Sequence, residues 1–193
     1  MAMGDHVIGA ATTIALLLAA LLPAMAGRVL MEDNAGDFIS TRCSHTKYPP
    51  LCRASLSSYA SKVRSSPTQL AQAAVSVSLA HAMSAAADVS TAAGSVGLKP
   101  GETMVLNDCL MVMGDSVQQL QRTLDAVGGS SAIRVENAQT WASTALTDEN
   151  MCADELAGVD LAGRREAVRA AVAKAARLCS NALALISDLQ ASP

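Results

Sequence analysis

The chain has 193 residues, with 14 Lys and Arg against 17 Asp and Glu, and a formal net charge of −3 at pH 7. It is 51% hydrophobic yet only 2% aromatic, so its apolar content is mostly alanine, leucine, valine and methionine. With no basic run and a nearly balanced charge, it carries no electrostatic footprint for nucleic acid or for an anionic membrane surface.

Residues 1–26 are expected to be a cleaved signal peptide. An apolar run from Val7 to Leu22 precedes Pro23 and the small-x-small sequence Ala24-Met25-Ala26. The leading stretch carries Asp5 and His6 and no Lys or Arg. The run, about 16 residues, is short of the ~20 a spanning helix needs. Cleavage after Ala26 leaves 193 − 26 = 167 residues, enough for one domain with its own core. Residues 27–36 read as a flexible tail and 37–193 as the folded domain. No Asn-x-Ser/Thr sequon is present.

Phe38 to about Ser44 can form a short helix. Pro49-Pro50 must break it and Pro50 can begin a second, giving a small hairpin over about 37–60. The first long helix starts with Ser66 as N-cap and Pro67 at the first helical position, and runs to about Gly94. It is so rich in alanine that its buried face is left open. The second follows Lys99-Pro100-Gly101 and ends at Gly128-Gly129. Its apolar positions are Leu106, Cys109, Leu110, Met113, Val117, Leu120, Leu124 and Val127, three and four apart. The third spans about 133–146, with Ala138, Trp141, Ala142, Ala145 and Leu146 on one face. A longer connection, about 147–163, contains Cys152. The fourth covers about 164–189 along a seam of Val168, Ala171, Val172, Ala175, Leu178, Cys179, Ala182, Leu185, Ile186 and Leu189. Together these elements predict an all-α protein. Its architecture is an up-down-up-down four-helix bundle over about 66–190, preceded by a disulfide-stapled helical hairpin.

Five cysteines in an exported chain predict two bridges and one leftover thiol, in about fifteen possible arrangements. Helix heights narrow them. Cys109 lies roughly 12 Å from the start of the second long helix, and Cys152 sits just past the end of its antiparallel neighbour, so the two are level. Cys179 lies roughly 22 Å along the fourth helix, a mismatch of about 10 Å with Cys109, beyond the ~7 Å limit on Cα separation. Cys109–Cys152 is therefore favoured. Cys179 falls on the apolar seam as a free, buried thiol, and Cys43–Cys52 remains to staple the hairpin.

These residues carry a resemblance. The stretch Cys43-Ser44-His45-Thr46-Lys47-Tyr48-Pro49-Pro50-Leu51-Cys52 is similar to a signature of the plant invertase and pectin methylesterase inhibitor family. So are Asn107-Asp108-Cys109, Gln139-Thr140-Trp141-Ala142-Ser143-Thr144-Ala145-Leu146-Thr147 followed by Cys152, and Ser180-Asn181-Ala182-Leu183-Ala184-Leu185-Ile186. The likeness covers about residues 37–189. It implies a hairpin on a four-helix bundle, the same two bridges and an unpaired fifth cysteine. It implies no catalysis and no cofactor. The implied function is 1:1 inhibition of a cell-wall pectin methylesterase, by a monomer secreted to the apoplast that covers the enzyme's cleft with faces of the bundle. An acid invertase is the alternative target and the vacuole the alternative destination. Members that inhibit invertase often carry a Pro-Lys-Phe loop near the start of the third bundle helix. Here Ser130-Ser131-Ala132-Ile133-Arg134 stands there, and pectin methylesterase is the expected target. Two departures are visible. Leu110-Met111-Val112-Met113 replaces a stretch where the family commonly has an acidic residue and a tyrosine, and Met151 replaces a threonine.

The polar face of the third long helix is the first candidate for contact. Glu136, Thr140, Ser143 and Thr147 lie three to four apart, flanked by Asn137 and Thr144. On the second helix, Asp108, Asp115, Gln118, Gln119 and Arg122 are expected to face outward. An enzyme would need a reactive constellation, and none is found: His45 and His81 have no partner spacing, and Cys-x-x-Cys, His-Glu-x-x-His, Gly-x-Ser-x-Gly and a phosphate loop are absent. Asp148-Glu149 and Asp154-Glu155 read as solvated loop pairs, and Trp141 as core. A carrier of apolar ligands would need a cavity between the helices, whereas the alanine-rich seams imply close helix approach.

Overall fold

The computed structural model describes residues 34–129, 131–159 and 165–190. The expected signal peptide, and most of the expected tail, lie outside them. α1 runs through 34–43. Residues 34–36, expected in the tail, are already helical, and Ala35 is buried. α2 is Pro49–Leu56, and a 3-10 turn at Ser57–Tyr59 leads into the single turn α3, Ala60–Val63. Two prolines open α2, where a missing N–H costs no helical hydrogen bond.

The bundle consists of α4 (Pro67–Ala93), α5 (Pro100–Val127), α6 (Ala132–Ala157) and α7 (Arg165–Ser187). Ser66 caps α4, its hydroxyl accepting the Gln69 N–H at 3.3 Å. Gly97, at φ +86°, makes the turn to α5 in a conformation that a side chain would strain. Glu102 fixes the start of α5 by accepting the Lys99 N–H at 2.7 Å. At the other end of α5, the Arg134 guanidinium donates to the carbonyls of Asp125 and Ala126. That places a cation on the negative pole of the helix and ties down the α5–α6 connection. α5 packs on α4 and α6, and α7 closes the ring by packing on both α6 and α4.

Three sequence expectations are corrected. The third long helix does not stop near residue 146: α6 continues to Ala157 and contains Cys152. The buried stripe runs on through Ala145, Glu149, Cys152 and Leu156. Glu149 interrupts the hydropathy pattern without interrupting the helix. Asp148-Glu149 and Asp154-Glu155 are thus helical, not loop pairs. Trp141 is half-buried at the edge of the core rather than inside it. On α5 the buried stripe passes through Ser116 and Thr123, while Leu110, Val117 and Leu124 are only half-buried.

α4 and the Glu166–Ser187 part of α7 are long and apolar enough to cross a membrane by length and composition, and half of each such window is buried in the bundle. Small residues at Ala82, Ala85, Ala138, Ala142, Ala145, Ala175 and Ala182, all buried, permit close approach of neighbouring helices.

Cys43 and Cys52 are joined, with Cα atoms 5.6 Å apart, as are Cys109 and Cys152 at 4.5 Å. Cys179 is free and buried. The hairpin is more than a stapled appendage. Ile39, Cys43, Cys52, Leu56 and Val63 belong to the same buried cluster as Leu70, Val75, Leu178 and Ile186, and Arg42 reaches Asp188 at 3.8 Å. Replacing Cys43 and Cys52 together by serine is expected to weaken the hairpin by up to about 3 kcal/mol, the loop entropy of so short a closure. The bundle should remain folded. Amide exchange should speed up in residues 37–63 and stay slow in the centres of α4–α7. Equal acceleration throughout would show that the hairpin and the bundle unfold as one unit.

Candidate functional site

The exposed side of α6 carries a row of hydroxyls whose protons are already committed. Thr140 donates to the Glu136 carbonyl at 3.0 Å, Thr144 to that of Thr140 at 3.1 Å, and Thr147 to that of Ser143 at 3.0 Å. Across the groove on α7, Ser187 donates to the Leu183 carbonyl at 3.0 Å. These hydroxyls keep their lone pairs outward, so the row presents hydrogen-bond acceptors held in fixed rotamers. Thr140, Ser143, Thr144 and Thr147, with Leu183 and Ser187, line an open groove of about 540 Å³ between α6 and α7. Glu136 and Asn137 are also exposed.

On α5, Asp108, Asp115, Gln118 and Arg122 are exposed on one stripe, and Met104 and Met111 fall on the same stripe. Gln119 departs from the outward set: it is half-buried, and its Oε1 is enclosed without a hydrogen-bond partner. The hydroxyl row lines the groove with α7, and the α5 stripe approaches α6 where Asp115 acts on Asp148. There the Asp148 carboxyl is held above its usual range, first by burial and then by the charge of Asp115. Met151 is exposed on α6.

Behind this face lies a polar cluster that the hydropathy pattern concealed. Glu149 is fully buried, and its Oε1 accepts the Ser116 hydroxyl at 2.9 Å. Its Oε2 has no partner. Burial pushes the carboxyl up to about 8; the Ser116 hydrogen bond opposes that and the charge of Asp148 adds to it. On α7, the Cys179 thiol donates to the Ala142 carbonyl at 3.4 Å. Its pKa is pushed well up, first by burial and then by the Glu149 charge, and Ser78 of α4 acts in the opposite direction. Each bundle helix thus contributes a polar group to this cluster: Ser78, Ser116, Glu149 and Cys179. A buried, protonated thiol and a buried, neutral carboxyl make a poor nucleophile and a poor base at neutral pH. His81 is half-buried on α4, its pKa lowered by burial and then by Lys174. Among the described residues, no group of three His, Cys, Asp or Glu could hold a metal ion.

One polar residue that the sequence offered only as part of a family-like motif is structural. Asn181, buried on α7, accepts the Tyr48 N–H at 3.0 Å and donates to the Tyr48 carbonyl at 3.1 Å. It lies between the seam residues Leu178 and Ala182, and an amide inside an apolar seam was the available signal.

The fold is thus a helical bundle with hydroxyls bonded back to their own helix on its exterior and a buried thiol and carboxyl in its interior. The family described as plant invertase/pectin methylesterase inhibitor matches residues 37–185, and the chain belongs to that family of inhibitors, which are not enzymes. It is 41% identical over 167 residues to pectinesterase inhibitor 3 of Arabidopsis thaliana, covering 82% of each chain. It is 37% identical over 184 residues to a 21 kDa protein of Daucus carota, covering 91% of this chain and 94% of that one. The fold is similar to that of a solved mutant form of a pectin methylesterase inhibitor from Arabidopsis. The TM-score is 0.64 at 18% identity, with 77% of this chain and 95% of the other covered.

Proposed function

We propose that this protein, exported to the plant cell wall, inhibits a pectin methylesterase by laying the α5–α6 face over the enzyme's substrate cleft in a 1:1 complex. The carrying observation is the row of self-bonded hydroxyls at Thr140, Thr144 and Thr147. Its rotamers are fixed before binding, so little side-chain entropy is lost on association. Such a row of acceptors suits a partner that presents N–H and O–H donors, as a cleft built to bind a hydroxyl-rich polymer does. The relatives named as pectinesterase inhibitors favour the same target. The exposed methionines Met111 of α5 and Met151 of α6 add polarisable and adaptable contact area. A stable interface requires about 20–30 residues per side, so the face extends beyond the polar residues named.

The test is a titration of the mature protein against a pectin methylesterase and an acid invertase in parallel. Suppression of the methylesterase is the expected result, and suppression of invertase alone overturns the assignment. Ser143→Trp places bulk on the exposed face. It should weaken inhibition by roughly tenfold or more, about 1.4 kcal/mol, with thermal unfolding unchanged. Full inhibition by that variant would move the contact surface elsewhere.

A further inference from the structure

The disulfide-closed loop of the hairpin forms one wall of a second pocket, away from the α5–α6 face. Lys47, Tyr48, Pro50 and Leu51 from the loop and α2 face Lys174 and Arg177 of α7 across about 560 Å³. Lys47 Nζ lies 5.6 Å and Arg177 Cζ 5.8 Å from the centre of the Tyr48 ring. The three cations are exposed, and among the described residues none of them forms an ion pair with a carboxylate. The first turn of α2 contains no acidic residue, and no side chain caps it. Pro49 and Pro50 have no N–H, so Leu51 supplies the remaining first-turn amide, which has no acceptor within the helix. The wall is held firmly. Asn181 clamps both backbone groups of Tyr48, and Cys43–Cys52 closes the loop that carries Lys47 and Tyr48. In a chain whose net charge is −3, this is a local concentration of positive charge around an aromatic ring.

We propose that this pocket binds an acidic sugar, a uronate unit of an oligosaccharide, independently of the inhibitory face. Tyr48, Pro50 and Leu51 offer an apolar surface to the C–H face of a pyranose ring. Lys47, Lys174 and Arg177 take its carboxylate and that of the next unit. A single phosphate fits less well, because it has no use for the apolar floor of Tyr48, Pro50 and Leu51. Uronate polymers are the de-esterified product of the enzyme class named above, so such a pocket would hold the inhibitor where that product accumulates.

Calorimetry of the mature protein with de-esterified oligogalacturonate, in the absence of any enzyme, tests the pocket apart from inhibition. Binding is expected, and it should weaken as salt is raised. The fully methyl-esterified oligomer should not bind, because its carboxylates are gone. Lys174→Gln combined with Arg177→Gln should weaken binding by roughly tenfold or more, while inhibition and thermal unfolding stay as in the parent protein. Arg177→Lys, which keeps the charge, should retain most of the affinity. Absence of binding, equal binding of the esterified oligomer, or binding unaffected by the double variant overturns the proposal. Tight binding of inorganic phosphate that displaces the oligomer overturns the sugar assignment.

Discussion

Glu149→Gln is expected to stabilise the protein, and the gain should grow as pH rises from 5 to 8. The carboxyl titrates near 8 in the folded chain against an ordinary value of 4.5. Below 4.5 both folded and unfolded chains hold the proton and Glu149 adds no pH dependence. Between 4.5 and about 8 the unfolded chain releases the proton while the folded chain keeps it. Stability then falls with rising pH by roughly 1.4 kcal/mol per unit. Above about 8 both forms are ionised and the slope vanishes. Burial is the principal cause, and the loss across the whole window is at most roughly 4–5 kcal/mol. Glutamine keeps an oxygen for the Ser116 hydroxyl and carries no charge at any pH. At pH 5 the variant should match the parent within about 1 kcal/mol, since both then hold a neutral group of the same shape, the amide with two N–H donors and the acid with one O–H. Urea unfolding of both proteins at pH 5 and pH 8 measures the difference. Parallel pH profiles would show that Glu149 does not titrate in this window.

Removing the Cys109–Cys152 bridge should cost more than removing the hairpin bridge. It spans a sequence separation of 43, against 9 for Cys43–Cys52. The loop entropy it takes from the unfolded chain corresponds to about 4 kcal/mol. That is a large share of the ~5–15 kcal/mol typical of a whole domain. Both sulfurs are buried with Leu106, Met113 and Leu156, so Cys109→Ala with Cys152→Ala is the cleaner variant, because no hydroxyl is left without a partner. Thermal unfolding of the two double variants gives the ranking. A larger loss from the hairpin pair would mean that native packing, rather than chain entropy, sets the value of these bridges.

Much of the bundle was legible because its boundaries are written in short-range chemistry. Ser66-Pro67 and Lys99-Pro100-Gly101 fix two helix starts through local capping, and Gly94 and Gly128 mark two ends. The buried stripe of α6 was legible only to Leu146. Beyond it Glu149 occupies a core position, and hydropathy cannot distinguish a carboxyl that is kept neutral from one that is solvated. The same blindness placed Gln119 outside and missed Ser116 on the inner stripe of α5. The exposure of the Thr140, Ser143, Thr144 and Thr147 face follows from helical spacing alone. Its fixed acceptor geometry depends on hydroxyls that donate back to their own helix, a choice of rotamer that residue types do not specify.

By itself the sequence determined the helical class, the order and starts of the long helices, and the family, because caps, periodicity and cysteine-centred motifs act over a few residues. Only the tertiary structure decided that the stapled hairpin joins the core, that Glu149 and Cys179 share the interior, and that Tyr48 comes to lie against Lys174 and Arg177. Those pairings join residues far apart in the chain. They depend on how helices are rotated and levelled against each other, which alanine-rich faces leave open until packing settles it.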